Sequence, residues 1–417
     1  MNVEIITIGD ELLIGQVVDT NSAWMAKALN DSGFKVVRKV TVGDVEEDIL
    51  HAVGEARSRV QTVLLTGGLG PTRDDITLRS LCSYFDCSLQ FSDEVYANIE
   101  NIFGRKGRKM NELTRLQALV PDKAVVIQNA VGTAPSTWFE QDGVVLVSLP
   151  GVPAEMKWLM ENEIIPRLNK RFNRDIFIRH RTSWVSGYTE SALAQSLASF
   201  EDNLPDSVKL AYLPQPGIIR LRLSAYCKEE RLAEELVEGL QKQLSQILGS
   251  NIIAEEDTGL EIVVGEKLRR CGLTLGTAES CTGGAIAALL TSVPGSSDYF
   301  RGSVVAYSND VKKNVLHVAE SDLQKYGAVS RQVVEQMAQG ALTVTGCDYA
   351  LATSGIAGPG GGSNEKPVGT VWIAVANRDT VISQEFYFTT LRDQNIQRAV
   401  SAALLMLLER LKADFPL

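Results

Sequence analysis

The sequence predicts a multidomain α/β chain, two three-layer α/β/α domains joined by a small α+β module, and three observations carry that expectation. Short apolar runs alternate with helix-like segments near both ends of the chain, the pattern of sheets covered by helices on both faces. Between these ends, residues 176–250 read strand, helix, strand, strand, helix. A chain of 417 residues also exceeds one ordinary domain of roughly 150. Domains are expected over 1–168, 175–252 and 257–417.

Taken in order, residues 3–8 are apolar and rich in isoleucine, which suits a first strand. A helix over 22–32, a strand over 35–42, a helix over 47–58 and strands over 62–66 and 144–149 follow, and this alternation predicts a parallel sheet. The charged stretch 169–175 reads as a linker. The middle module has strands at 176–185, 208–212 and 218–226 and helices at 190–200 and 229–248. An acidic run from Glu255 to Gly259 opens the third domain. There 260–271 is a helix, 273–275 ends a strand, and 285–290 begins a helix of strong helix formers. Strands over 303–307, 349–353, 369–375 and 382–388 precede a closing helix at 393–412, whose Ile396, Val400, Leu404, Leu407, Leu408 and Leu411 fall on one face.

The net charge of −10 argues against a general nucleic-acid binder, which needs clustered Lys and Arg against phosphates. One basic stretch, Arg105, Lys106, Arg108 and Lys109, suits at most a single nucleotide. No apolar run approaches the roughly 18 to 20 residues of a membrane span. The first residues lack the basic and apolar segments of a signal peptide, so a cytoplasmic protein is expected. Six cysteines without CxxC or zinc-type spacing fit reduced thiols.

The richest motif runs from Gly276 through Thr277, Ala278, Glu279, Ser280, Cys281 and Thr282 to Gly283 and Gly284, at the point where a strand becomes a helix. Such a turn suits a helix cap. It equally offers free N–H groups at the positive end of a helix to a phosphate or a developing oxyanion. A second glycine-rich run, with Ser354, Gly355, Gly358 and Gly360, follows the strand at 349–353 and suits close backbone approach to a phosphate. A third segment carries Tyr307 to the end of a strand, with Lys312 five residues later. His317 is the only histidine of this domain, so a desolvated lysine is the base available to activate a serine. Two serines compete for the nucleophile's place, Ser280 at the helix start and Ser297 in the turn of Pro294, Gly295 and Ser296, with a slight lean to Ser280.

In the first domain Asp10, Glu11, Asp44, Asp74 and Asp75 fall at expected strand ends beside Gly67, Gly68 and Gly70. Hard oxygen ligands next to a glycine turn suit a divalent cation bridging a pyrophosphate, although such acids also serve as caps and solvated loop residues.

Residues 257–417 carry the 277–284 box, the 294–297 turn, Tyr307, Ser308, Asn309, the 354–362 run, and Lys366, Pro367, Val368, Gly369 and Thr370. In these motifs the segment resembles the C-terminal domain of the CinA family. The resemblance implies deamidation of nicotinamide mononucleotide (NMN) to nicotinate mononucleotide and ammonia, without a cofactor. A serine would attack the carboxamide, Lys312 would take its proton with Tyr307 assisting, and the turn at 279–284 would hold the oxyanion. The run from Ser354 would receive the 5-phosphate, with Glu279, Thr282, Gly283, Gly284 and either Arg392 or Arg398 as further contacts.

Residues 1–168, through Gly9, Asp10, Glu11, Leu12, Leu13 and Gly15, then Asp19, Thr20 and Asn21, and the 66–75 turn, are similar to the molybdopterin-binding fold of the same family. That likeness implies hydrolysis of ADP-ribose to AMP and ribose 5-phosphate with Co2+, Mg2+ or Mn2+, and places Asn21 at the substrate. The middle module resembles a KH-type domain but lacks the GxxG loop, so a spacer or homodimer contact is expected in place of nucleic-acid binding. The alternative reading is a non-enzymatic pterin- or nucleotide-binding adaptor in competence or DNA recombination.

Overall fold

The computed structural model describes residues 1–72, 74–105, 110–172, 176–215 and 217–415. Arg73, residues 106–109 of the basic stretch and residues 173–175 of the expected linker lie outside the described residues. The chain forms two compact units, residues 1–180 with 224–238, and residues 181–223 with 239–417.

The first unit is organised by a six-stranded sheet. Its strands are β1 (Asn2–Ile8), β2 (Lys35–Val42), β3 (Thr62–Thr66), β6 (Val125–Ile127), β7 (Ser136–Gln141) and β8 (Val144–Leu149), in the order β2-β1-β3-β8-β7-β6. A separate two-stranded sheet pairs β4 (Leu89–Phe91) with β5 (Leu119–Pro121). The half from β2 to β8 is parallel, as expected, but β7 and β6 run antiparallel, so the sheet is mixed.

Alternation along β1 divides the core between the two faces of this sheet. Val3 and Ile5 pack with Met25, Leu29, Met156 and Leu159, from the helices Thr20–Asp31 and Pro153–Leu159. Ile6 and Ile8 pack with Ile49, Val53 and Leu81, from Glu46–Arg59 and Thr77–Phe85. The first residues of the expected linker belong to a helix instead: Ile165–Arg171 takes in residues 169–171, anchored by fully buried Leu168 and by Arg171 Nε donating to Glu140 at 2.6 Å.

The middle third yields β9 (Phe177–Ser186), β10 (Val208–Gln215), β11 (Ile218–Cys227) and β12 (Ile252–Ala254), in a sheet ordered β10-β11-β9-β12. The helices Glu190–Asp202 and Glu230–Leu248 complete the expected order. Among the described residues no helix is long and apolar enough to cross a membrane.

The second unit contains β13 (Leu275–Glu279), β14 (Phe300–Val305), β15 (Tyr349–Gly355), β16 (Thr370–Ala376) and β17 (Val381–Tyr387), ordered β14-β13-β15-β16-β17. β13 lies between two parallel neighbours, while β16 and β17 are antiparallel. On one face Val264, Leu268, Ile286, Leu290, Leu404 and Leu408 pack from the helices Leu260–Cys271, Ala285–Thr291 and Arg392–Asp414. On the other, Val333, Val334, Met337 and Ala338 pack from Arg331–Thr345. Three parallel strands therefore deliver their carboxyl ends to one edge, where sites form in sheets of this kind.

Candidate active site

The carboxyl end of β13 is held by burial before it and by hydrogen bonds across to β15 and within the turn after it. All five residues of the strand are buried, and the N–H of Ser280 donates to the Thr353 carbonyl of neighbouring β15 at 2.9 Å. The chain then turns through Gly283 (φ 63) and Gly284 (φ 99), left-handed conformations that a side chain would strain. The helix Ala285–Thr291 starts directly behind.

Its first N–H groups are not free for a ligand, contrary to expectation. Fully buried Glu279 accepts from the N–H of Gly284 at 3.0 Å, of Ile286 at 3.0 Å and of Ala287 at 2.9 Å. The chain's own carboxylate fills the anion position at this helix end, so Glu279 supports the turn from inside instead of facing substrate. Ahead of that helix, no backbone carbonyl accepts from the N–H groups of Cys281 and Thr282, and the Cys281 N–H lies beside its own thiol.

Lys312 reaches Ser280 from the next strand along the edge. After β14, Ser308 caps the short helix Asn309–Asn314 by accepting from the Val311 N–H at 3.3 Å, and this helix turns Lys312 inward. Lys312 is 1% exposed, with Nζ 3.0 Å from Ser280 Oγ and 2.7 Å from the Ala306 carbonyl it donates to. Burial lowers its pKa below the ordinary lysine value, slightly opposed by the nearby Cys281. Its neighbour Lys313 points away and pairs with Glu320 at 3.0 Å. Cys281, the rival nucleophile, is buried and its thiol is pushed up to about 12 by that burial, so it stays protonated near neutral pH.

Several expected partners are placed elsewhere. Ser297 sits in the turn Ser296–Asp298 that leads into β14, at the opposite edge of the sheet from Ser280, a strand length of roughly 20 Å away. Tyr307 makes no hydrogen bond with Lys312; it is exposed, and its hydroxyl accepts from Arg392 Nη2 at 3.0 Å. The reason is alternation along the extended chain, which turns Ala306 inward and Tyr307 outward. Ser354 and Gly355 belong to β15, not to a loop: the buried Ser354 hydroxyl donates to the Ala328 carbonyl, and a Cβ on Gly355 would come within 2.8 Å of the Thr370 carbonyl. Thr282 Oγ1 is buried against Thr353 Oγ1 at 2.8 Å. Gly358 and Gly360 do lie in the loop beyond β15, and Gly360 has open space around it. Sequence reasoning missed the Ala306 carbonyl and Thr353, whose roles come from strand pairing and leave no local signal.

In the first unit a cavity of about 450 Å³ opens at the strand ends, lined among others by Asn21, Gly67, Gly68, Gly70, Asp44, Asp74 and Asp75. Glu11 lines it too, whereas Asp10 is exposed and donates its backbone N–H to Asp44. Asn21 donates to the Gly151 carbonyl at 2.8 Å and to Thr66 Oγ1 at 3.3 Å. The five acids are not gathered into a metal cage: among the described residues no group of three or more His, Cys, Asp or Glu is placed to hold a metal ion. Three of them bind the chain's own donors. Asp10 and Asp44 each accept the other's backbone N–H at 3.2 and 3.1 Å, and Asp75 accepts from the Thr72 N–H at 2.8 Å. Burial, with the nearby charges of Asp10, Glu11 and Asp74, raises the pKa of Asp44.

Comparison with known proteins assigns each third of the chain. Residues 257–411 match the family model of the CinA C-terminal domain, 4–170 that of a probable molybdopterin binding domain, and 180–254 that of the damage-inducible protein CinA KH domain. A CinA-like protein of Flavobacterium psychrophilum is 43% identical over 421 residues, covering 100% of both chains. One of Cytophaga hutchinsonii is 44% identical over 412 residues, covering 98% of each. Among solved structures, the competence/damage inducible protein CihA from Agrobacterium tumefaciens is 41% identical, covering 36% of this chain and 96% of that one with a TM-score of 0.35.

Proposed function

The chain belongs to the CinA family, and from that premise we propose that its C-terminal domain is a Ser–Lys amidohydrolase that deamidates NMN. The observation that carries this reading is the buried Lys312 amine 3.0 Å from Ser280 Oγ. A neutral amine accepts the Ser280 proton as Oγ attacks the carboxamide carbon. In this reading the N–H groups of the turn after Ser280 receive the resulting oxyanion. The Lys312 ammonium then returns its proton to the departing nitrogen, which leaves as ammonia, and an acyl-serine remains. Water, deprotonated by the same amine, attacks the ester and releases nicotinate mononucleotide and free Ser280.

The experiment is ammonia release from NMN by the full chain, with Ser280→Ala and Ser297→Ala compared in parallel. Activity should vanish in the first and persist in the second, and mass spectrometry should find an acyl adduct only on the peptide holding Ser280. No ammonia from the wild-type chain refutes the reading.

A second reading concerns the first domain, and the cavity floored by Gly67, Gly68 and Gly70 favours it. It is a nucleotide pocket whose glycine turn suits a pyrophosphate, with ADP-ribose as the proposed substrate. Among the described residues the acids form no group of three or more placed for a metal, so in this reading one or two of them hold the divalent cation together with the substrate's oxygens. Equilibrium binding of ADP-ribose with and without Mg2+ or Mn2+ tests it, and absence of binding in both conditions rejects it.

A further inference from the structure

We infer that the second unit carries a binding site for a small organic anion with an apolar body, in a cavity walled by the helices Leu260–Cys271 and Arg392–Asp414 and by β12. The cavity measures about 670 Å³, within the range of small-molecule sites, and all its lining residues fall in that unit. Val263, Lys267 and Arg270 line it from one face of the first helix, Leu408 and Lys412 from the second, and Ile253 from the strand. It is separate from the deamidase site. Cys271, at its wall, lies four residues before the amino end of β13, whereas Ser280 follows the carboxyl end.

Three cations meet here without a counter-ion. Lys412 Nζ donates to the Ile252 carbonyl at 2.7 Å and the Ser250 carbonyl at 3.3 Å, and Lys267 Nζ donates to the Phe415 carbonyl at 2.9 Å. The Arg270 guanidinium has no hydrogen bond or ion pair among the described residues. Glu255, Glu256 and Glu266 also line the cavity, yet none of them pairs with these cations; Glu255 accepts from the Ser245 hydroxyl instead. Neutral carbonyls therefore hold two ammonium groups near each other. Burial lowers the pKa of Lys412, Glu409 opposes that shift, and the charge of Lys267 adds to it. Such a juxtaposition is unfavourable by itself and is relieved by a bound anion. Lys267 and Arg270, three residues apart on one helix face, can share that anion, and the planar fork of Arg270 suits a carboxylate. Val263, Ile253 and Leu408 leave an apolar wall for the rest of the ligand.

Isothermal calorimetry on the full chain tests the site, with 1-naphthoate as the probe and 1-naphthalenemethanol as its neutral counterpart. Naphthoate should bind at least roughly tenfold more tightly than the alcohol, and Lys267→Gln combined with Arg270→Gln should weaken it roughly tenfold to a hundredfold, as expected when charge-assisted contacts are removed. Thermal melting checks that the double variant is folded. Should it not be, Arg270→Gln alone, at an exposed residue, carries the comparison and should still weaken naphthoate severalfold. Absence of naphthoate binding, equal affinity for naphthoate and the alcohol, or equal affinity of the wild-type and variant chains for naphthoate overturns the inference.

Discussion

Replacing Glu279 by glutamine tests whether the turn that presents Ser280 is held by a buried carboxylate. One oxygen of Glu279 accepts from Gly284 and Ile286, and the other from Ala287, with the Thr277 and Ser303 hydroxyls at 3.4 and 3.5 Å. Glutamine keeps the first oxygen and sets an NH2 against the Ala287 N–H, so one charge-assisted bond is lost and a donor is left facing a donor. Such a bond is worth about 1.5–3 kcal/mol. For a unit of this size, each kcal/mol lowers the melting temperature by about 2–4 °C, so a fall of roughly 3–12 °C is expected. Calorimetry on the full chain should show one transition moving, and amide exchange should quicken at Ala287 and its helical neighbours. Unaltered melting together with unaltered exchange would refute the capping role and the account of the turn built on it.

Charge at Lys312 and at Asp44 gives the remaining predictions. Lys312→Met should lower deamidation by about a hundredfold to ten-thousandfold, the usual contribution of a general base. The wild-type pH profile should show kcat/KM rising through an apparent pKa below 10.5, because burial holds the amine down and only the neutral form accepts the proton. The same shift makes the unfolded chain bind this proton more tightly, so wild-type stability relative to Lys312→Met should increase with pH between the folded value and 10.5; denaturant unfolding at two pH values checks the sign. In the first domain burial first, then Asp10, Glu11 and Asp74, raise Asp44, so its ionised form is a liability above the folded pKa. Asp44→Asn should therefore raise the melting temperature at pH 7, and that gain should shrink as the pH is lowered toward 3.8.

Much of the fold was legible because apolar periodicity reports local structure directly. The strands at 62–66 and 144–149 and the helix Leu260–Cys271 came out as expected. The stretch holding β4 to β7 did not, since strands of three residues such as Leu89–Phe91 are too short to show a period. The site was legible in its types of residue and less so in their directions. Adjacent Lys312 and Lys313 are indistinguishable in sequence, yet one is sealed beside Ser280 and the other is ion-paired at the surface. Which of them turns inward depends on how the helix after Ser308 meets the sheet, a tertiary matter. Glycine was equally ambiguous. Gly355 suited a phosphate loop by composition, but what excludes a Cβ there is the neighbouring strand.

The carbonyl of Ala306 has an evolutionary implication. An amine steadied by main chain instead of by a carboxylate side chain has no second charged residue to keep in step with it, and no exchange at position 306 can delete the oxygen. Drift there is limited by volume alone, since Ala306 is wholly enclosed. The base's bearing is thereby inherited from the alignment of β14 on β13, and a slip in that alignment would disarm the site while leaving every reactive group in the chain.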